Sequence, residues 1–200
     1  TLRGGRASHP KNVVLLTCDA FGIMPPVARL TPEQAMYHFL SGYTARVAGT
    51  ERGITEPKTT FSACFGAPFM ALPPTVYANM FGERIRRHQV KCWLVNTGWI
   101  GGPYGVGRRI DINSTRAIIR AALSGVLDSV PSREDPVFGF RVPTTCPGID
   151  DRLLRPRDAW ERPNEYDHTA ARLAAAFREN QRQFEDGLTE EVRAAAPRHA

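Results

Sequence analysis

The stretch "KCWLVNTGWIGGPYGVGRRIDINSTRAIIRAALSG", residues 91–125, carries the clearest structural pattern of the chain. It opens with the clearest strand pattern of the chain, a β-branched and apolar run over residues 90–97. A glycine-rich loop follows, then "RIDI", which predicts a short strand. Helical spacing resumes with Ser114 as the expected cap and ends at Gly125. Strand, loop, strand and helix in this order predict a mixed α/β (α+β) domain.

The glycine loop resembles a phosphate loop only in part. From Gly102 it runs G-P-Y-G-V-G-R-R, whereas a phosphate loop needs Lys and then Ser or Thr at the start of a helix. Arg108 and Arg109 occupy those positions, so we exclude this reading. Two alternatives stay open. The loop is either a plain connection between strands, or it presents an arginine to a nucleotide, because a guanidinium can stack on a purine.

Working outward, residues 12–17 predict a buried strand, and the Pro25-Pro26 pair excludes helix and central strand after it. Thr31, Pro32 and Gln34 predict the start of a helix with a capping box. Gly49 is expected to end that helix. Its buried face is predicted to comprise Met36, Phe39, Leu40, Tyr43 and Val47.

Further along, a second helix is predicted over residues 74–88, burying Tyr77, Met80, Phe81 and Ile85. Residues 126–163 are rich in proline and irregular, apart from a short strand at "FGFRVP". The last helix is predicted over residues 165–186. We expect residues 188–200 to be a frayed tail, and residues 1–187 to form one partial domain.

Charge, hydrophobicity and cysteine usage argue against several classes of partner and site. The net charge is +6, but the arginines are spread along the chain among acids, so no nucleic-acid partner is expected. No apolar run approaches the roughly 20 residues of a membrane helix, so no membrane partner is expected either. The four cysteines form no C-x-x-C pair. This favours reduced thiols in a cytoplasmic protein over a metal site.

Other candidate sites are weaker. "AGTERG", residues 48–53, is either an exposed turn or a lid hinged on its two glycines. "DAFG", residues 19–22, matches the kinase metal-binding triplet only superficially, and we discount it. The five histidines have no partner at ligand spacing, and no catalytic set of residues is complete.

Several long stretches together resemble the ATP-dependent phosphoenolpyruvate carboxykinase family. They are "NVVLLTCDAFGIMPPVARLTPEQAMYHFLSGYTARVAGTERGITEP", "TFSACFGAPF", "KCWLVNTGW", "GGPYGVGRRIDINSTRAII" and "LRPRDAWERPNEYD". They run in order from about residue 10 to residue 187. The resemblance implies the C-terminal, nucleotide-binding part of the carboxykinase fold, a mixed sheet with flanking helices.

The resemblance also implies a function. The family converts oxaloacetate and ATP into phosphoenolpyruvate, ADP and carbon dioxide, a step of gluconeogenesis, with a divalent metal (Mg or Mn). Its phosphate loop, metal ligands and substrate arginines lie upstream of the matching segment, and the chain opens without Met. We therefore expect a piece of a longer enzyme, inactive alone, that lacks the N-terminal domain.

On the matching positions, the resemblance implies nucleotide contacts at Arg109, Ile110 and Thr115, and a mobile lid comprising Gly49, Thr50, Glu51, Arg52 and Gly53. The chain departs from the family pattern at Cys18, where Ala is usual, and at Arg108, where Lys is usual. A nucleotide-binding module without catalysis and a purely structural fragment remain the alternatives. Within the enzyme class, the GTP-dependent group is the runner-up.

Overall fold

The computed structural model describes residues 4–5, 7–46 and 56–198. Its central sheet has five strands in the order β1–β5–β2–β9–β8. β1 and β5 are parallel, while β2 pairs antiparallel with β5 and β9, and β9 with β8. The mixed α/β fold that the sequence predicts is confirmed. The sheet strands are β1 (Asn12–Thr17), β2 (Val27–Leu30), β5 (Lys91–Asn96), β8 (Ser132–Glu134) and β9 (Arg141–Pro143).

Two small hairpin-like pairs and the helices complete the described fold. β3 pairs antiparallel with β4, and β6 with β7. Six short 3₁₀ turns lie in the connections between these described elements. The strands of the small pairs are β3 (Tyr43–Arg46), β4 (Lys58–Phe61), β6 (Trp99–Ile100) and β7 (Arg108–Arg109). The helices are α1 (Pro32–Ser41), α2 (Pro74–Arg87), α3 (Ile112–Ser124), α4 (Pro163–Gln181) and α5 (Glu190–Ala194).

Aromatic rings in the core join helix α4 to strand β3 and to the connection between β8 and β9. Phe177 of α4 is fully buried, and its ring centroid lies 4.9 Å from that of Tyr43 and 5.8 Å from that of Phe138. Such offset and edge-to-face pairs add to the free energy gained by burying apolar surface. Each member of the predicted face of the last helix is buried, although α4 ends at Gln181 and Phe184 lies in the 3₁₀ turn after it: Tyr166, Ala170, Leu173, Phe177 and Phe184.

The start of α1 follows the sequence prediction, whereas its end does not. Thr31 Oγ1 accepts from Gln34 N at 3.2 Å, and Gln34 Oε1 accepts from Thr31 N at 3.0 Å, which confirms the capping box. The helix ends at Gly42, in the left-handed region at φ +55°. Tyr43 therefore belongs to β3, and the predicted helical face is too long. Val47 and Gly49 lie outside the described residues.

Strand β2 was excluded by the sequence reasoning, and that exclusion was wrong. The Pro25-Pro26 pair stops just before the strand, and Pro26 still accepts a hydrogen bond from Asn96 N at 3.0 Å through its carbonyl oxygen. A proline lacks only the donor, so it is compatible with the residue that precedes a strand. Val27 is fully buried, and β2 lies between β5 and β9.

Helix α2 has the predicted extent, and its predicted buried face is confirmed in part. Ile85 is buried, and Tyr77 and Phe81 are half-buried. Met80 is 49% exposed, whereas Gly82 is buried. A Cβ at Gly82 would lie 2.2 Å from Met36 Sδ, so the glycine lets α2 pack closely on α1. Met80 was therefore wrongly placed on the buried face, because hydrophobicity does not mark a small residue at a helix contact.

The C-terminal segment is ordered where a frayed tail was expected. Helix α5 buries Val192 completely, and Leu188 is 6% exposed. The backbone N of Arg198 donates to Val137 O at 2.8 Å, which ties the end of the described chain to the sheet side. Residues 188–198 therefore differ from the frayed tail that was expected, because the buried side chains of Leu188 and Val192 anchor them.

The four cysteines are all free thiols, as expected. Cys18, Cys92 and Cys146 are buried, and Cys64 is half-buried. Within the described ranges, no helix combines the length and the apolar character needed to cross a membrane.

Candidate functional site

The candidate site lies where the parallel strands β1 and β5 end. Thr17 and Asn96 are in register at the carboxyl ends of these strands. Ligands of open α/β sheets usually bind outside this edge, because the loops that leave the strands converge there. The segment after β1 and the glycine loop after β5 meet at this edge, so it is the natural place for a binding site.

Asp19, two residues beyond β1, braces the first of these loops. Its fully buried carboxylate accepts from Phe21 N (2.9 Å), Ile23 N (2.6 Å), Met24 N (2.8 Å) and Tyr43 OH (2.8 Å). Burial raises the pKa of Asp19, while these hydrogen bonds oppose the rise. The sequence analysis discounted "DAFG" as a metal motif, and in this geometry the carboxylate organises backbone.

Asn96 connects that loop to β5. Its Oδ1 accepts from Asp19 N at 3.0 Å and from Gly98 N at 2.8 Å, and its Nδ2 donates to Met24 O at 2.9 Å. Trp99 N donates to Asp19 O at 2.7 Å. A Cβ at position 98 would lie 2.1 Å from Asp19 O. The two loops are thus fused by buried hydrogen bonds and by one obligatory glycine.

Sequence reasoning missed this brace. The available signals were an Asp just after one buried strand and an Asn ending another. Asp19 and Asn96 are 77 residues apart along the chain. They meet only because β1 and β5 are neighbours in the sheet. A local pattern cannot reveal such a contact.

The glycine loop itself is the turn of a hairpin. Trp99 pairs with Arg109 and Ile100 with Arg108, so residues 101–107 connect β6 to β7. A Cβ at Gly107 would lie 2.2 Å from Gly102 O, so the loop closes through a backbone approach that only glycine permits. The loop is the strand connection that one of the two open alternatives described. The loop also leads into the exposed Arg109, so the second alternative, an arginine presented to a nucleotide, stays open.

Arg109 is exposed and held from two sides. Its Nε donates to Thr97 O at 3.2 Å, and its Cζ lies 5.6 Å from the centre of the Trp99 ring. A guanidinium stacked on an indole loses mobility and remains charged. Cys18 lies close by, and burial raises the pKa of its thiol, with Arg109 acting in the opposite direction. The departure at Cys18 therefore lies beside the candidate arginine.

Ile110 and Thr115 lie at the same junction but present little surface. Ile110 N donates to Gly98 O at 2.8 Å, and its side chain is 7% exposed. Thr115 is also 7% exposed, and its Oγ1 donates to Asp111 O at 3.2 Å in the first turn of α3. The structure brings the three predicted contact residues together around one hairpin and one helix start.

Helix α3 begins earlier than predicted. Asp111, not Ser114, is the cap, since its Oδ1 accepts from Asn113 N and Ser114 N, each at 2.9 Å. The Asp111–Ser114 hydrogen bonds lower the pKa of Asp111. "RIDI" is therefore not a strand beyond Arg109. The arginine precedes the helix cap by two residues, and the exclusion of a phosphate loop still holds because Arg108 and Arg109 lie in a strand.

The remaining candidate, the lid comprising Gly49, Thr50, Glu51, Arg52 and Gly53, lies outside the described residues. A cavity of about 560 Å³ lies beside the hairpin loop, lined in part by Val106, Trp160 and His168, and its lining does not include the three predicted contact residues. Over the described part of the chain, no group of three or more His, Cys, Asp or Glu side chains could hold a metal ion.

Comparison with known proteins agrees with this architecture. A family model described as phosphoenolpyruvate carboxykinase matches residues 2–152. Phosphoenolpyruvate carboxykinase (ATP) of Thermus thermophilus is 56% identical over 197 residues, which cover 98% of this chain and 37% of the relative. The protein of the same name from Parvibaculum lavamentivorans is 58% identical over 193 residues, covering 96% and 36%.

A third relative, phosphoenolpyruvate carboxykinase (ATP) 1 of Moorella thermoacetica, is 60% identical over 182 residues, covering 91% of this chain and 35% of the relative. The chain thus spans just over a third of the length of the curated relatives it matches. Identity at this level over nearly the whole chain, together with the family match, leads to one conclusion: the chain belongs to the phosphoenolpyruvate carboxykinase (ATP) family.

Proposed function

We propose that this chain supplies the adenine and ribose side of the ATP site in an enzyme that converts oxaloacetate and ATP into phosphoenolpyruvate, ADP and carbon dioxide. Arg109, Ile110 and Thr115 are the proposed nucleoside contacts. The observation that carries the proposal is the exposed Arg109 guanidinium, fixed by Thr97 O and the Trp99 ring at the carboxyl edge of the parallel strands.

Each proposed contact has a distinct chemical role. A planar guanidinium held over an indole can stack on a purine without first being ordered, which lowers the entropy cost of binding. Ile110 offers an apolar edge. The Thr115 hydroxyl uses its proton on Asp111 O, so its oxygen can still accept a hydrogen bond from an amino or hydroxyl group of the nucleoside.

The rest of the reaction requires groups beyond this segment. Decarboxylation to an enolate and phosphoryl transfer to its oxygen both develop negative charge, which metal ions and cations offset. The described residues offer no metal cluster, and we assign the phosphate loop, the Mg or Mn ligands and the oxaloacetate contacts to the part of the relatives that lies beyond the match. We assign the lid to residues 49–53. Four free thiols fit a cytoplasmic enzyme.

A chimera tests the proposal. The matching segment of the Thermus thermophilus relative, 56% identical, is replaced by this chain, and ATP- and oxaloacetate-dependent formation of phosphoenolpyruvate is measured. We expect activity in the chimera and none in the 200-residue chain alone. Arg109→Ala should raise the KM for ATP about tenfold with a smaller effect on kcat, because a nucleoside contact is equally strong in ground and transition states.

The matched control is Arg108→Ala, one residue earlier on the same exposed strand. Its KM for ATP should stay within about twofold of the unsubstituted chimera, as an exposed charge contributes little by itself. Equal effects of the two substitutions would refute the assignment of Arg109. Turnover by the chain alone would refute the requirement for the upstream part. An inactive chimera that still bound ATP would favour a nucleotide-binding module without catalysis.

A further inference from the structure

A second concave surface lies at the opposite end of β5 from the nucleotide loop. We call it the basic groove, a cavity of about 870 Å³ whose walls include Arg29, Arg86, Lys91, Trp93, Asp128 and Arg141. Lys91 opens β5 and Asn96 ends it at the nucleotide edge, so the two ends lie roughly 17 Å apart at the usual rise per residue. The groove is therefore separate from the candidate ATP site.

The strand register places like charges side by side in this groove. Arg29 of β2 is directly opposite Trp93 of β5 on one side and directly opposite Arg141 of β9 on the other. Residues directly opposite on antiparallel strands point to the same face. Two arginines in such positions repel each other and destabilise the pair, so their juxtaposition needs a reason.

The groove contains less negative charge than this cluster requires. Asp128 is the one carboxylate of its lining, and it is shared between Arg29, at 3.3 Å, and Lys91. Arg86 pairs with Glu33, which lies outside the lining. Arg141 has no ion pair within the described part of the chain, because Glu134, directly opposite it on β8, pairs with Arg198 instead. One anionic group thus faces three cations, and the excess positive charge is concentrated in a concavity.

The walls of the groove are suited to a small organic ligand. The Trp93 ring is 1% exposed and forms part of the wall, and Arg29 Cζ lies 5.8 Å from its centre. Trp93 Nε1 donates to Asn12 Oδ1 at 3.1 Å, which fixes the ring. Stacking in turn orients the Arg29 guanidinium, whose paired N–H groups suit carboxylate or phosphate oxygens. The cavity volume is in the range of small-molecule sites.

We propose that the basic groove binds a small, multiply charged oxyanion, a compound with two or more phosphate or carboxylate groups, through Arg29, Arg141 and Lys91. One anionic group bridges Arg29 and Arg141 and removes their repulsion, and a second contacts Lys91, which also pairs with Asp128. The site is distinct from the nucleotide edge. Strands β5 and β2 both run from the groove to that edge, where Asn96 N donates to Pro26 O just before β2.

The three tryptophans of the chain allow a direct test. The 200-residue chain is labelled with ¹⁵N at the indole nitrogens, and the resonances are assigned with Trp99→Phe and Trp160→Phe. Inorganic pyrophosphate and citrate are titrated separately against sodium chloride at equal ionic strength. We expect at least one anion to shift the Trp93 resonance saturably and to leave Trp160 unchanged. The anion that binds more tightly shows whether the groove prefers phosphate (pyrophosphate) or carboxylate (citrate) groups.

Substitutions complete the test. Arg141→Gln should weaken the affinity for the anion about tenfold, the effect of losing one charge-assisted contact. Arg172 is an exposed arginine on α4, and Arg172→Gln should leave the affinity unchanged. If Arg141→Gln loses the dispersed spectrum of a folded chain, Arg29→Gln takes its place. No saturable shift of Trp93 with either anion, shifts confined to Trp99, or equal affinities in the Arg141 and Arg172 variants would overturn the proposal.

Discussion

His38 makes the stability of this fold depend on pH in a calculable way. The side chain is 3% exposed in α1, and its ring centroid lies 4.9 Å from that of Phe140 and 5.3 Å from that of Phe177. Burial lowers the pKa of His38 from 6.5 to about 3. The folded state therefore favours the neutral ring, and its contribution to stability is full above pH 6.5 and is lost as the pH falls towards 3.

The magnitude follows from proton linkage. At pH 5 the unfolded histidine is almost fully protonated and the folded one is neutral, so the free energy of unfolding falls by about 2 kcal/mol relative to pH 7.5. Urea melts of the wild type and His38→Phe at both pH values measure this. Asp19 and Asp135, whose pKa values burial raises, titrate in both proteins, so their effects cancel in the difference.

The expected result is a pH-dependent loss that is about 2 kcal/mol larger in the wild type than in His38→Phe. If phenylalanine does not fit among the rings, His38→Leu serves as the non-titrating reference. A difference below about 0.5 kcal/mol would refute the reasoning, because it would mean that the ring is solvated or protonated in the folded chain.

Three further outcomes follow from the packing. In a urea melt, Gly98→Ala should lower the free energy of unfolding by about 3 kcal/mol, because its Cβ would lie 2.1 Å from Asp19 O. Gly105→Ala has nothing near its Cβ and should lower it by only about 1 kcal/mol, through its positive φ. Equal losses would contradict the fused loops. Val192→Ala should lower the free energy of unfolding by roughly 2 kcal/mol if α5 is packed on the core. No change in stability would instead support the frayed tail that the sequence predicted. Iodoacetamide at pH 7.5 should label the four cysteines slowly until the chain unfolds, because burial raises every thiol pKa, and fast native labelling would contradict that burial.

Local chemistry made part of the fold predictable. The capping box of Thr31 and Gln34 involves residues three apart, so the sequence alone specifies it. The strand that begins at Lys91 was equally clear, because its apolar run is continuous. The predicted strand at "FGFRVP" is present as β9, although only its last three residues, Arg141–Pro143, pair.

Features that depend on distant contacts were not predictable. A Cβ at Gly42 would lie 1.7 Å from Ser62 O, so the requirement for glycine after α1 comes partly from a neighbour 20 residues away. Strand β8 consists of three polar residues that pair only because β9 is present, so no periodicity marks it. Asp111 competed with Ser114 as a cap, and both are good cap residues, so propensity could not choose between them.

The candidate site likewise has a part that the sequence predicted and a part that depends on distant contacts. The resemblance selected Arg109, Ile110 and Thr115, and the hairpin and helix start bring them to one junction. The brace formed by Asp19 and Asn96, which fixes that junction, came only from the structure. The nucleoside contacts themselves remain a prediction.

An ATP titration followed at the Trp99 indole ¹⁵N resonance tests the central claim most directly, because the Trp99 ring lies beneath Arg109. We expect a saturable shift of Trp99, an affinity for ATP about tenfold weaker in Arg109→Ala, and an affinity within about twofold of wild type in Arg108→Ala. Equal affinities in the two variants, or ATP binding that leaves the Trp99 resonance unmoved, would contradict it.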